Sequence, residues 1–238
     1  MRELILAWSL NVDGVMPIPD KAIENSRQSL YERGAGYLKK IESMTTGSPE
    51  RIVDKWPLNA LHAGLIPLVL PNAHIIHCRR HPVEICLSCY RIGFADENLG
   101  FTNDLAELGR AYHTYHETMQ FWKSVLPEGK ILEIWYEDVV DDAEGQIRRV
   151  LDHVGMPWDE NCLSFDKNKR QVATASNFQV RQPIYRDATD NRWHKYKPYL
   201  GPLLETLGPL VEEYEKELVE GREERFRKLQ PSLSSVIE

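Results

Sequence analysis

The stretch His74-Ile75-Ile76-His77-Cys78-Arg79-Arg80-His81-Pro82-Val83-Glu84-Ile85-Cys86-Leu87-Ser88 holds residue types at a spacing that suits the capture of a phosphate monoester. A short apolar run breaks at two arginines, a proline follows Arg80 by two positions, and Ser88 follows it by eight. A guanidinium offers a planar fork of donors matched to phosphate oxygens, a helix start adds unpaired amide hydrogens, and a hydroxyl adds one more directional bond. In open α/β sheets ligands collect in the crevice at the carboxyl ends of strands, which is where such an arginine would stand. The same pattern also arises as plain surface capping, with the serine facing solvent.

Two other groupings carry possible chemistry. Cys86-Leu87-Ser88-Cys89 is formally Cys-x-x-Cys, but no second Cys/His pair lies at zinc-site spacing, and small buried hydrophobes are the simpler reading. His62, His77 and His81 stand near the motifs as candidate bases, and each is more simply a satisfied polar group.

These residues need elements to hold them. Residues 21–40 read as one helix, with Ala22, Ile23, Leu30, Tyr31, Ala35, Tyr37 and Leu38 inward and with Gly34 and Gly36 weakening it locally. Residues 51–57 read as a short strand stopped by proline, followed by a helix over 59–66. Residues 74–78 form a second strand and 82–92 a second helix. Residues 103–125 make the longest helix, with an aromatic stripe that reads as core, and 130–136 and 143–154 supply a third strand and helix. This alternation implies a parallel sheet covered by helices. Helix returns over 202–219 and is extended by the charged residues that follow.

Composition sets bounds on function. The 238 residues are 42% hydrophobic and 27% charged, enough for a substantial core. A formal charge of -7 argues against a general nucleic-acid binder. No run approaches the ~20 apolar residues that span a bilayer, and four clustered cysteines do not suit a secreted disulfide framework. A cytoplasmic protein, with neither nucleic-acid nor membrane partners, is the expectation.

Four ordered motifs resemble a known family. Val53-Asp54-Lys55-Trp56-Pro57 is similar to an Asp-Lys-x-Pro segment before a helix, Arg80 to Ser88 to a 3′-phosphate-binding motif, and Trp135-Tyr136-Glu137-Asp138 to a Tyr-Glu-Asp after a central strand. The fourth and most specific is Ser176-Asn177-Phe178-Gln179-Val180-Arg181-Gln182-Pro183-Ile184-Tyr185, with Arg192-Trp193 and Tyr196 after it. Together they resemble the sulfotransferases that use 3′-phosphoadenylyl sulfate, closest to the bacterial branch associated with tetratricopeptide repeats and to the protein-tyrosine sulfotransferases. The likeness runs from about residue 51 to 204.

The resemblance implies an α/β fold, a P-loop-NTPase-like three-layer sandwich with a parallel sheet. Residues 1–50 would form a helical amino-terminal segment, 51–230 the sulfotransferase-like domain and 231–238 a loose tail. It implies 3′-phosphoadenylyl sulfate as sulfuryl donor, no metal, and a hydroxyl or amine acceptor on a small molecule or peptide. Lys55 would sit beside the bridging oxygen of the leaving phosphate, and Ser176 would donate toward the sulfuryl group. Arg80 and Ser88 would hold the 3′-phosphate with help from Arg91, Tyr136 would meet the nucleotide, Gln179 and Val180 would line the adenine, and Arg192 would face the phosphates. Lys55 also reads as a surface lysine at a strand end, and Tyr136 as a sheet-edge aromatic.

One expected part does not appear in this sequence. The family's first strand, its Gly-x-Pro-Arg-Ser-Gly-Thr loop for the 5′-phosphosulfate and the helix after it have no counterpart here, and no residue matches the acceptor's base. The expectation is therefore a sulfotransferase or the carboxyl-terminal part of one, with a catalytically inactive nucleotide-binding or interaction module as the alternative. A nucleotide-kinase-like protein is disfavoured because no Gly-x-x-x-x-Gly-Lys-Ser/Thr is present.

Overall fold

The computed structural model describes residues 20–45, 47, 49–94, 97–167 and 192–227. The chain divides into two compact units, residues 1–73 with 124–126, and residues 74–123 with 127–238.

In the first unit, helix α1 spans Asp20–Met44 and a one-turn helix α2 spans Ile66–Val69. The two glycines do not interrupt α1. Gly34 is buried where α1 meets α2, and a Cβ there would lie 1.9 Å from the Val69 carbonyl oxygen. That contact makes 30, 34, 37 and 41 the inward stripe, at helical spacing. Tyr31 and Leu38, read as inward from their apolar character, are therefore 68% and 46% exposed.

Residues 51–56 are not the strand that their sequence suggests. Residues 51–55 are all exposed, Val53 at 88%, and among the described residues they have no ladder partner. Ile52 and Val53 supply β propensity, but propensity reflects packing on a half-buried sheet and does not by itself make a strand. Trp56 is extended, as a residue before proline must be, and Pro57 opens a 3₁₀ helix, Pro57–His62, in place of the helix expected over 59–66.

The second unit is α/β. Strands β1 (Ile75–Arg79) and β2 (Ile131–Trp135) pair in parallel, with Ile75 opposite Ile131 and Arg79 opposite Trp135. Between them run α3 (Pro82–Ile92) and α4 (Leu105–Val125), and β2 leads into α5 (Tyr136–Asp141) and α6 (Ala143–Val154). A 3₁₀ helix, Arg192–Tyr199, precedes α7 (Gly201–Leu207) and α8 (Leu210–Arg227). The single closing helix expected from sequence is thus two, broken where Gly208 takes φ 50° and Pro209 supplies no N–H.

The core lies among α3, α4, the 192–199 turn and α7, with Val83, Cys86, Leu87, Leu108, Tyr112, Trp193, Leu203 and Leu207 buried together. Leu108, Tyr112 and Met119 of the α4 stripe are core, as their spacing suggests. Cys86 belongs there too: burial pushes its thiol up to about 12, and all four cysteines are free. Among the described residues no helix is long and apolar enough to cross a membrane.

Candidate functional site

Strand β1 delivers two arginines to its carboxyl end, and alternation sends them apart. Arg79 is buried: its guanidinium lies 4.1 Å over the Trp135 ring, and its Nη1 reaches Glu217 at 2.7 Å and Glu133 at 4.0 Å. Burial opposes its charge, but Glu133 and Glu217 outweigh that effect and raise its pKa. Arg79 is a structural cation.

Arg80 leaves the strand just before α3, which Pro82 opens at a position where a missing N–H costs nothing. Its guanidinium lies 4.8 Å over the Tyr136 ring, and its side chain keeps 27% of its exposure. The parallel register explains this pairing, because Arg80 and Tyr136 are the residues that follow the paired strand ends Arg79 and Trp135. Arg80 Nη2 also donates to Glu84 Oε2 at 3.4 Å. Ser88 and Arg91 follow Glu84 by four and seven positions and so share its side of α3, Ser88 half-buried and Arg91 exposed.

Two buried carboxylates, neither singled out in the sequence, tie the motifs together. Glu84, 7% exposed, accepts the Trp193 backbone N–H at 2.9 Å on Oε1 and so fixes the turn that carries Arg192. Glu137, 8% exposed, accepts the His81 backbone N–H at 3.0 Å and the Tyr214 hydroxyl at 2.7 Å. A glutamate on an amphipathic helix ordinarily reads as a solvated side chain. In sequence, their only mark is a place inside or beside the motifs.

Of the histidines proposed as bases, His77 and His81 are occupied and His62 belongs to the first unit. His77 lies between Glu133 Oε1, 3.0 Å from its Nδ1, and the Tyr115 hydroxyl. Its cluster, with Arg79, Lys123 and Glu133, lines a small pocket in which the Glu133 carboxylate pairs with Lys123 at 2.9 Å and lies 4.0 Å from Arg79. His81 is buried against Trp193 and Tyr214, with Nε2 3.3 Å from Glu215, and desolvation lowers its pKa despite that carboxylate. His62 belongs to the first unit, half-buried, with its pKa lowered by desolvation.

Lys55 also belongs to the first unit, exposed on a segment outside helix and strand, and beside it the Tyr37 hydroxyl donates to Asp54 Oδ2. The second unit thus gathers Arg80 and Tyr136, with Arg192 docked through its neighbour Trp193. Ser176, Gln179 and Val180 lie outside the described residues. What the gathered residues can do is fix a phosphate at a strand end: a guanidinium on an aromatic face, a helix start and a half-buried hydroxyl two turns along.

Comparison with known proteins gives likenesses of three kinds. Residues 15–160 match the model of the sulfotransferase family. An uncharacterized protein of Aquifex aeolicus (strain VF5) is 33% identical over 211 residues, which is 84% of this chain and 27% of that relative, so the chain spans only part of the relative's length. The sulfotransferase domain from the curacin biosynthetic pathway is similar at 19% identity, with a TM-score of 0.48 over 62% of this chain and 56% of that one.

Proposed function

The chain belongs to the sulfotransferase family, and from that premise we propose that it binds 3′-phosphoadenylyl sulfate and passes the sulfuryl group to a hydroxyl or amine of a small-molecule or peptide acceptor. The observation that carries this reading is the stack of Arg80 on Tyr136 at the end of β1, beside the helix that bears Ser88.

Arg80 and Ser88 hold the 3′-phosphate, and Arg91 adds charge one turn further. Tyr136 packs against the nucleotide and Arg192 faces its phosphates, while the adenine contacts assigned to Gln179 and Val180 rest on the resemblance of their motif alone. The bound donor supplies an already activated sulfuryl group, so the protein's work is positioning and charge stabilisation. Lys55, a compact ammonium, follows the charge that develops on the bridging oxygen as the sulfur–oxygen bond to the donor breaks. The bond to the acceptor forms as the donor bond breaks, the acceptor's proton passes to solvent, and the hydrogen bond assigned to Ser176 on the group in flight rests on the resemblance of its motif.

Titration of the purified chain tests this reading. 3′-Phosphoadenosine 5′-phosphate should bind at least about tenfold more tightly than adenosine 5′-phosphate, because the second leaves charged donors unpaired, and Arg80→Ala should remove that preference. Equal affinity for the two nucleotides, or an unchanged preference in Arg80→Ala, would overturn the assignment. Transfer of labelled sulfate to a panel of phenols, alcohols and amines then tests the reaction itself.

A further inference from the structure

We propose that Glu84 is a positioning residue that aims the Arg80 guanidinium at the 3′-phosphate, an inference that rests on the role given to Arg80 above. Glu84 stands on an 11-residue helix yet is 7% exposed, a burial that a carboxylate tolerates only with partners. Its two oxygens are divided between two partners. Oε1 accepts the Trp193 N–H at 2.9 Å, 109 positions along the chain, and Oε2 accepts Arg80 Nη2 at 3.4 Å. The same guanidinium lies 4.8 Å over the Tyr136 ring. A guanidinium held between a ring and a carboxylate has lost much of its rotamer freedom before any ligand arrives, so pairing with a phosphate costs less ordering.

Charge and orientation make opposite predictions here. A carboxylate close to a phosphate-binding arginine repels the phosphate, so simple removal of its charge would tighten binding. If Glu84 acts by orientation, removing it weakens binding. Glutamine separates the two cases cleanly. Its carbonyl oxygen can still accept the Trp193 N–H, which leaves its amide hydrogens facing the donors of Arg80, and donor against donor turns the guanidinium away. Glu84→Gln therefore keeps the turn at Trp193 and misdirects Arg80.

The experiment is calorimetric titration of wild type and Glu84→Gln with 3′-phosphoadenosine 5′-phosphate and with adenosine 5′-phosphate, with a thermal melt of each protein. Expected is about a tenfold loss of affinity for the first nucleotide in the variant and a much smaller change for the second, so that selectivity for the 3′-phosphate falls. A variant with wild-type or greater selectivity overturns the proposal while leaving the Arg80 reading intact. A wild type with no selectivity overturns both, which separates the two failures. Should Glu84→Gln not fold, Glu84→Asp keeps the charge but withdraws it by one carbon from Arg80, and the same comparison decides: reduced selectivity supports the proposal, unchanged selectivity overturns it. In an Arg80→Ala background Glu84→Gln should have no further effect on selectivity, because Glu84 acts through Arg80.

Discussion

Arg79 and Arg80 are neighbours of one chemical type, and the two-residue period of a strand gives them different surroundings. Arg79 is enclosed by Trp135, Tyr214, Glu133 and Glu217, whereas Arg80 stands half-buried against Tyr136 and Glu84. Substitutions at the two positions should separate stability from binding. Arg79→Ala should cost about 2 kcal/mol, from a lost charged hydrogen bond and a lost cation–π contact, and the surviving protein should still prefer a 3′-phosphorylated nucleotide. Arg80→Lys should melt close to wild type but lose that preference, because an ammonium on a flexible stem does not reproduce a planar fork. Thermal melts and nucleotide titration on both variants check the pair. The ring beneath Arg80 gives a companion test. Tyr136→Phe should bind 3′-phosphoadenosine 5′-phosphate almost as wild type does, whereas Tyr136→Ala should lose roughly tenfold through the missing face. Equal losses in the two variants would assign the effect to the hydroxyl rather than the ring.

At the scale of elements, α1 shows two glycines with opposite meanings. Gly36 meets nothing within 4 Å, so Gly36→Ala should stabilise the helix by about 0.5–1 kcal/mol. Gly34→Ala should destabilise it, by about 1–3 kcal/mol, because the new methyl would meet the Val69 backbone; chemical denaturation of the two variants should move in opposite directions. Sequence alone distinguishes them poorly, since what differs is a neighbour 35 positions away. The same limit explains which elements could be read in advance. Helices α3 and α6 have the bounds expected because their punctuation is local: Pro82 opens α3 and Gly93 follows it, while the Asp142 carboxylate accepts the Gly145 N–H at 3.0 Å and Gly155 closes α6. A strand has no such self-sufficiency, and Ile52 and Val53 are strand-forming residues with no strand beside them among the described residues. The site divides likewise. Arg80 and Tyr136 were legible because each follows an apolar strand, whereas Glu84 and Glu137 act through partners 109 and 56 positions away, which no local pattern records.

Across the second unit as a whole, the last helix closes over the strand ends that present the site. From α8, Tyr214 reaches Glu137, Glu215 reaches His81, and Glu217 reaches Arg79. Arg225 meets the fully buried Asp138 at 2.7 Å and also lies over the Trp135 ring, so that Arg79 and Arg225 both stack on one indole. Among the described residues Asp138 Oδ1 has no hydrogen-bond partner of good geometry and relies on Arg222 at 3.6 Å, so Arg225 carries most of the compensation for this charge. Arg225→Met should therefore cost several kcal/mol, about 3–5 for a buried carboxylate stripped of its main partner. This dependence on charge should also set the protein's response to acid. Glu133 is held down to about 2, below its ordinary 4.5, because hydrogen bonds with His77 and Lys123, reinforced by nearby charge, outweigh its desolvation. The unfolded chain then binds the extra proton first, so the stability Glu133 contributes is complete above about pH 4.5 and is lost as the pH falls from there toward about 2. His81 has the same sign at higher pH: burial lowers its pKa below 6.5, so its contribution fades once the solution falls beneath that value. Urea denaturation across a pH series should accordingly show stability declining in two windows. Glu133→Gln should lower stability at pH 7 and flatten the acid window alone, and a variant that kept the wild-type slope there would place the acid sensitivity elsewhere.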